Sequence, residues 1–318
     1  MDAFRDLLAC PACGARLGAD WRCCGCGSPF EAPDGIPKLR LPGSARIEAV
    51  RRFYERTPFP GYAPRDTLET IRARAGRSSA AVLLDRAIPG DAHVLEMGCG
   101  TGQLCLYLAR ADRLVVGADL ARAPLEMAEA AARRFGVEGA RFVETDVCQP
   151  GLKAGVFDVV YCSGVLHHTP DPRASFAALA RLARRGGMIV VGVYNAIARL
   201  PLRIRRAMAR ASGFRLVPFD PVLRERRQEP ARHEAWLRDQ YGHPEEHRHT
   251  LAAVQAWFAA NDVEYVRAYP SAILGGESGG LFDPAPDDWR VEGWLAQLGW
   301  IRTLGREGGL FLTVGRRR

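Results

Sequence analysis

Residues 92–111, AHVLEMGCGTGQLCLYLARA, decide the fold. AHVLEM is a short apolar run, Gly98, Gly100 and Gly102 follow at alternate positions, and QLCLYLARA continues with helical apolar spacing. Strand, glycine turn and helix make the first unit of a doubly wound α/β sheet. The glycines let the backbone pass close to a ligand, and the helix start presents free N–H groups toward it. One glycine turn is weak on its own, so the stretches downstream carry the argument.

RLVVGADLA (113–121) reads as a second strand ending in Asp119, 19 residues beyond Gly100, where an acid is placed to bind a ribose diol. APLEMAEAAARRFG is a helix closed by Gly136. ARFVETD is a third strand reaching Asp146, and VFDVVYCSGVLHH a fourth that runs into a loop at 163–168. GGMIVVGVYN is a fifth, and VEYVRAYP and GGLFLTVGRR complete a seven-stranded, mostly parallel sheet with an antiparallel hairpin at its edge. The spacing Gly98-x-Gly100-x-Gly102 departs from the GxGxxG of nicotinamide-binding domains.

As a set, over about 90–270, these motifs resemble the class I S-adenosylmethionine-dependent methyltransferases, with VLEMGCGTGQL as the first motif and FDVVYCSGVLHHTPDP as the fourth. The resemblance implies a Rossmann-like fold and an S-adenosylmethionine site built from Glu96, Gly98, Gly100, Gly102, Asp119, Leu120, Asp146, Val147 and Ser163. In it Glu96 approaches the methionine moiety, Asp119 the ribose and Asp146 the adenine amine. The methyl group of that cosubstrate is already activated, so the protein has mainly to orient a nucleophile and exclude water. A general base is needed only for an acceptor that must lose a proton. His167 and His168 after the fourth strand and Tyr194 after the fifth are the candidates for base or substrate contact, with Asn195 beside Tyr194; Tyr161 is expected in the core.

Five of the nine cysteines fall within residues 10–26. Cys10, Cys13, Cys23 and Cys26 form C-x2-C-x9-C-x2-C, two knuckles that together offer the tetrahedral thiolate set preferred by Zn2+. Cys24 reads as a bystander, with Cys24 in place of Cys23 as the alternative third ligand, and Gly14, Gly25 and Gly27 stand where a knuckle needs positive φ. Four thiolates leave no open coordination position, so the expected zinc ribbon is structural. The following SPFEAPDGIPKL resembles the end of ribbons that precede some methyltransferase domains. The expected organisation is a ribbon at 1–43, a linker and possible lid at 44–76 with Tyr54, Phe59 and Tyr62, and a methyltransferase domain at 77–318. His243, His247 and His249 are expected to be ordinary loop residues, and Cys99, Cys105, Cys148 and Cys162 buried thiols.

The formal charge is +8, of which +5 lies in a helical insert at about 197–250, and only Lys38 and Lys153 are lysines. Leu200, Ile204, Ala207 and Met208 share one face of the insert's first helix, and a second helical segment at 223–240 carries Trp236. The start MDAFRDLLAC lacks an apolar signal region, and no apolar run approaches a membrane span, so a cytoplasmic protein is expected. Three functions remain open at this point: methyl transfer to a small molecule, methyl transfer to an rRNA or tRNA base with the ribbon contacting RNA, and a non-catalytic cofactor-binding module. The neutral ribbon, with no aromatic–basic interleaving, favours the small molecule.

Overall fold

The computed structural model describes residues 3–56, 58, 60–110, 112–212, 220–225, 237, 240, 241, 245–272, 279–285, 290–304 and 308–318. Phe59, Trp236 and His243, named above, lie outside the described residues, as does most of the expected second insert helix.

Among the described residues eight strands form one sheet: β1 (Lys38–Leu39), β2 (His93–Met97), β3 (Leu114–Asp119), β4 (Ala140–Thr145), β5 (Phe157–Ser163), β6 (Ala183–Tyr194), β7 (Val263–Tyr269) and β8 (Leu310–Arg317). Their order is β1-β4-β3-β2-β5-β6-β8-β7. All pairs are parallel except those of β8, which runs antiparallel to both β6 and β7. Seven of them are the strands expected from the sequence, with the antiparallel hairpin at the edge. The eighth, β1, comes from the N-terminal module, with Glu144 N–H donating to the Pro37 carbonyl at 2.9 Å. Gly151 permits this approach, because a Cβ there would stand 2.3 Å from Leu39 Cβ.

Between the strands run α1 (Ala45–Arg56), α2 (Leu68–Ala75), α3 (Ser79–Ala87), α4 (Gln103–Leu108), α5 (Arg122–Phe135), α6 (Pro172–Ala180), α7 (Leu200–Ala211), α8 (Pro221–Glu225), α9 (Leu251–Ala259) and α10 (Arg290–Thr303). α5 ends at Gly136 in the left-handed conformation, φ 64°, as the sequence indicates, and Thr250 caps α9 through its side chain. β3 lies tight against its neighbours: a Cβ on Gly117 would meet Phe142 at 2.7 Å and Cys105 Sγ at 2.9 Å. No helix among the described residues is long and apolar enough to cross a membrane.

The N-terminal module is welded to the sheet rather than tethered to it. Phe4, Leu7, Leu8 and Leu17 join the core that contains Val147, Leu152 and Leu166. Lys153 N–H donates to the Leu7 carbonyl at 2.8 Å, and Ala9 N–H to the Gly151 carbonyl at 3.1 Å.

The apolar face of the insert's first helix turns outward. Leu200, Ile204 and Met208 of α7 are exposed, while Leu202 and Ala209 are buried with Leu223 and Tyr241. Arginine causes the turn: Arg199 is fully buried, with Nη1 donating to Gln240 Oε1 at 2.7 Å and also to the Gly308 carbonyl, and Arg206 Nε donates to the Tyr241 carbonyl at 3.1 Å. Drawing these two guanidinium groups inward rotates the apolar stripe outward.

Candidate functional site

The carboxyl ends of β2, β3, β4 and β5 open onto one crevice, where a doubly wound sheet binds its ligand. Its wall includes Met97, Gly98, Gly100, Asp119, Leu120, Asp146, Val147, Ser163 and His168. Seven of the nine cofactor residues expected from the sequence are therefore brought together. Gly102 is not on the wall but starts α4 with φ 72°, where a Cβ would stand 2.8 Å from both Ala128 and Phe142. Gly98 (φ 79°) tolerates no side chain, since a Cβ would fall 2.0 Å from Val165 Cγ2.

Asp119 organises the crevice. Its Oδ2 accepts Gly100 N–H at 2.8 Å and its Oδ1 accepts Ala121 N–H at 2.9 Å. Burial pushes its carboxyl above the ordinary range, and these backbone donors pull it partly back. Asp146 is buried and its Oδ1 accepts Cys148 N–H at 2.9 Å, which fixes the turn after β4.

Glu96 lies close enough to Asp119 to feel its charge. It is buried and absent from the crevice wall, and Cys105 Sγ of α4 donates to its Oε2 at 2.8 Å. Burial pushes its pKa up to about 8. The unfolded chain releases this proton near the ordinary value of 4.5, whereas the fold keeps it to about 8, so rising pH within that window favours unfolding. Glu96→Gln is expected to flatten the fall in Tm between pH 6 and pH 8.5 by several degrees, read by calorimetry without cosubstrate. Parallel melting curves for the two proteins would contradict this placement.

The three catalytic candidates separate. His168 lines the crevice, its Nδ1 is 2.6 Å from the Glu245 carbonyl, and burial pulls its pKa down to about 4. A carbonyl only accepts, so the neutral ring carries its proton on Nδ1 and presents Nε2 as the acceptor nitrogen. His167 and Tyr194 do not reach the wall. Their rings meet at 3.8 Å between centroids, tilted by 30°, His167 is fully buried, and Tyr194 carries the Arg199 guanidinium 3.4 Å above its ring. The Tyr194 hydroxyl accepts from Gln240 Nε2 at 2.9 Å. Asn195 is also occupied: its Oδ1 accepts the N–H groups of Ile197 and Ala198, and its Nδ2 donates to Gln297. The end of β6 thus anchors the insert instead of facing the crevice.

The linker supplies a roof that sequence reasoning only partly anticipates. Ile47, Val50 and Tyr54 of α1 line the crevice. Glu55 clamps α1 down, its two carboxylate oxygens accepting Arg122 N–H and Ala123 N–H, each at 2.9 Å. This caps α5, whose N-cap Ala121 offers no side-chain acceptor. Tyr62 is not on the wall; its hydroxyl donates to the Thr101 carbonyl at 2.6 Å, and Gln103 Nε2 donates to the Gly61 carbonyl at 3.0 Å. The aromatic linker is stapled to the glycine turn.

At the N-terminus, the sulfurs of Cys10, Cys13, Cys23 and Cys26 lie within 4.8 Å of one another, with Cys13 to Cys23 at 3.4 Å and Cys10 to Cys26 at 3.7 Å. Tetrahedral Zn2+ with bonds of about 2.3 Å separates its sulfurs by about 3.8 Å, so the donor set fits the ion. The N–H groups of Gly25 and Cys26 donate to Cys23 Sγ at 3.3 and 3.4 Å, and Cys24 is exposed outside the cluster. Gly14 (φ 75°) and Gly27 (φ 73°) take the positive φ expected of them. Gly25 does not; it is small because a Cβ would press on Ala15 Cβ at 2.7 Å. His247 and His249 join no metal-type cluster among the described residues: His247 Nε2 is 3.0 Å from Glu245 Oε1, and His249 packs edge-on against Trp257.

Residues 95–191 match the methyltransferase domain family. The chain is 26% identical over 246 residues to an uncharacterised protein of Synechococcus sp., covering 69% of this chain and 59% of that one. It is 35% identical over 112 residues to the ubiquinone biosynthesis O-methyltransferase of Saccharophagus degradans, covering 35% and 47% of the two chains. The chain thus spans about half the length of these curated relatives. Among solved structures, geranyl diphosphate C-methyltransferase of Streptomyces coelicolor superposes with TM-score 0.50 and 15% identity, over 87% of this chain and 100% of that one. The architecture is the Rossmann-like methyltransferase fold.

Proposed function

We propose that this chain is an S-adenosylmethionine-dependent methyltransferase acting on a small molecule, with a structural Zn2+ held by Cys10, Cys13, Cys23 and Cys26. The observation that carries the reading is the convergence of Gly98, Gly100, Asp119, Leu120, Asp146, Val147 and Ser163, from four strand ends, on one crevice shared with His168. The cosubstrate supplies an activated methyl group when bound. Asp119 holds the ribose and Asp146 the adenine edge, while the roof of Ile47, Val50 and Tyr54 excludes water. His168, neutral at pH 7, accepts a proton on Nε2 from an acceptor that must lose one. The roofed crevice and a ribbon docked on the sheet suit a compact acceptor.

Transfer of tritium from labelled S-adenosylmethionine into fractionated cell extract tests this reading. Label is expected in the small-metabolite fraction, with kcat lowered roughly 100-fold or more and KM nearly unchanged in His168→Gln. Label in RNA would replace the acceptor class, and no label in any fraction would favour a non-catalytic cofactor-binding module.

A further inference from the structure

A second cavity, of about 230 Å³, lies in the insert and shares no described lining residue with the crevice. Among the described residues, Arg199, Arg203, Arg206, Arg210 and Arg248 line it with Leu202, Ala207 and one acid, Glu246. The acid is already committed. Arg199 Nη2 and Arg206 Nη1 each donate to its Oε2 at 2.8 Å, and Arg199 Nε to its Oε1 at 3.1 Å. Burial would raise the Glu246 carboxyl, but these two guanidinium groups outweigh it and hold the pKa down to about 2.

Arg203, Arg210 and Arg248 are exposed at the rim, and no side-chain hydrogen bond or ion pair joins them to another described residue. Partial burial of its guanidinium, and then the charge of Arg203, pull Arg248 below its ordinary range, with Glu246 opposing them. Five guanidinium groups facing one carboxylate among the described residues leave excess positive charge, and an anion placed among them relieves their mutual repulsion. Guanidinium forks match the paired oxygens of phosphate, and the fully buried Arg199, tied to Gln240 and the Gly308 carbonyl, gives the cavity a rigid floor.

We propose that this arginine-lined cavity is a binding site for a phosphate or diphosphate group. The site is distinct from the crevice and does not depend on the methyltransferase reading. The anion is carried either by a free phosphorylated molecule or by the headgroup of an anionic lipid, since the exposed Leu200, Ile204 and Met208 share α7 with the rim.

Isothermal titration of the full chain with pyrophosphate at low ionic strength tests the site, beside flotation with phosphatidylglycerol vesicles and phosphatidylcholine vesicles as control. Saturable binding is expected, weakened at least tenfold in the double variant Arg203→Gln/Arg210→Gln. The variant Arg65→Gln/Arg77→Gln removes the same charge from exposed positions elsewhere and is expected to bind as the parent does. S-adenosylhomocysteine titrated into all three proteins reports whether the fold and crevice are intact. Pyrophosphate binding without vesicle binding assigns a free phosphorylated ligand, and phosphatidylglycerol binding lost in the cavity variant assigns a headgroup. Absence of both, or equal weakening by the two double variants, overturns the proposal.

Discussion

Replacing Cys10 by Ser is expected to lower the Tm of the whole chain by at least about 10 °C and to abolish retention of one zinc per chain. The cysteine module builds part of the main core: Phe4, Leu7, Leu8 and Leu17 are buried with residues of the sheet, and β1 pairs with β4. Short ribbons draw their folding energy from the metal, with apparent binding of about 10–16 kcal/mol in isolated zinc-finger peptides. Loss of a few kcal/mol in a domain of this size shifts Tm by about 2–4 °C per kcal/mol. Arg122 reinforces the coupling, since its guanidinium donates to the Ile36 and Pro33 carbonyls while its own backbone starts α5 at the crevice. Ribbon loss should therefore also weaken cosubstrate binding. Cys24→Ser, outside the cluster, is expected to leave zinc content and Tm unchanged. Metal analysis together with differential scanning calorimetry checks both variants, and a zinc-free protein that melts like the parent would contradict the assignment.

Asp119→Ala is expected to weaken S-adenosylhomocysteine binding by about 100-fold or more. The carboxylate fixes the glycine turn through Gly100 N–H and the start of α5 through Ala121 N–H, and it lies on the crevice wall. Hydrogen bonds to a charged group contribute about 1.5–3 kcal/mol each, so loss of a ribose contact together with the preformed turn reaches that factor. Asp119→Asn keeps the shape but not the charge, and is expected to cost about tenfold. Equal affinities in parent and Asp119→Ala, by isothermal titration, would remove Asp119 from the site.

The crevice was legible because its chemistry is local. Gly98 and Gly100 follow β2 directly, Asp119 ends β3, and Asp146 follows β4, so strand order alone brings them to one sheet edge. What depends on distant packing was not legible. Ile47 and Val50 roof a crevice built mainly by residues beyond 96, and nothing near Glu55 reveals that it caps α5 across 67 residues. Helical spacing grouped Leu200, Ile204 and Met208 correctly but could not say which face turns inward; the buried contacts of Arg199 decide that. Tyr194 sits at a strand end that reads as part of the site, yet its ring is enclosed between His167 and Arg199. Of the adjacent histidines, only His168 faces the crevice.

The most direct measurement is isothermal titration of S-adenosylhomocysteine into the zinc-loaded chain. One site per chain is predicted, with micromolar affinity that falls in Asp119→Ala and persists in Arg203→Gln/Arg210→Gln. The absence of saturable binding by the folded, metal-loaded protein would contradict the account.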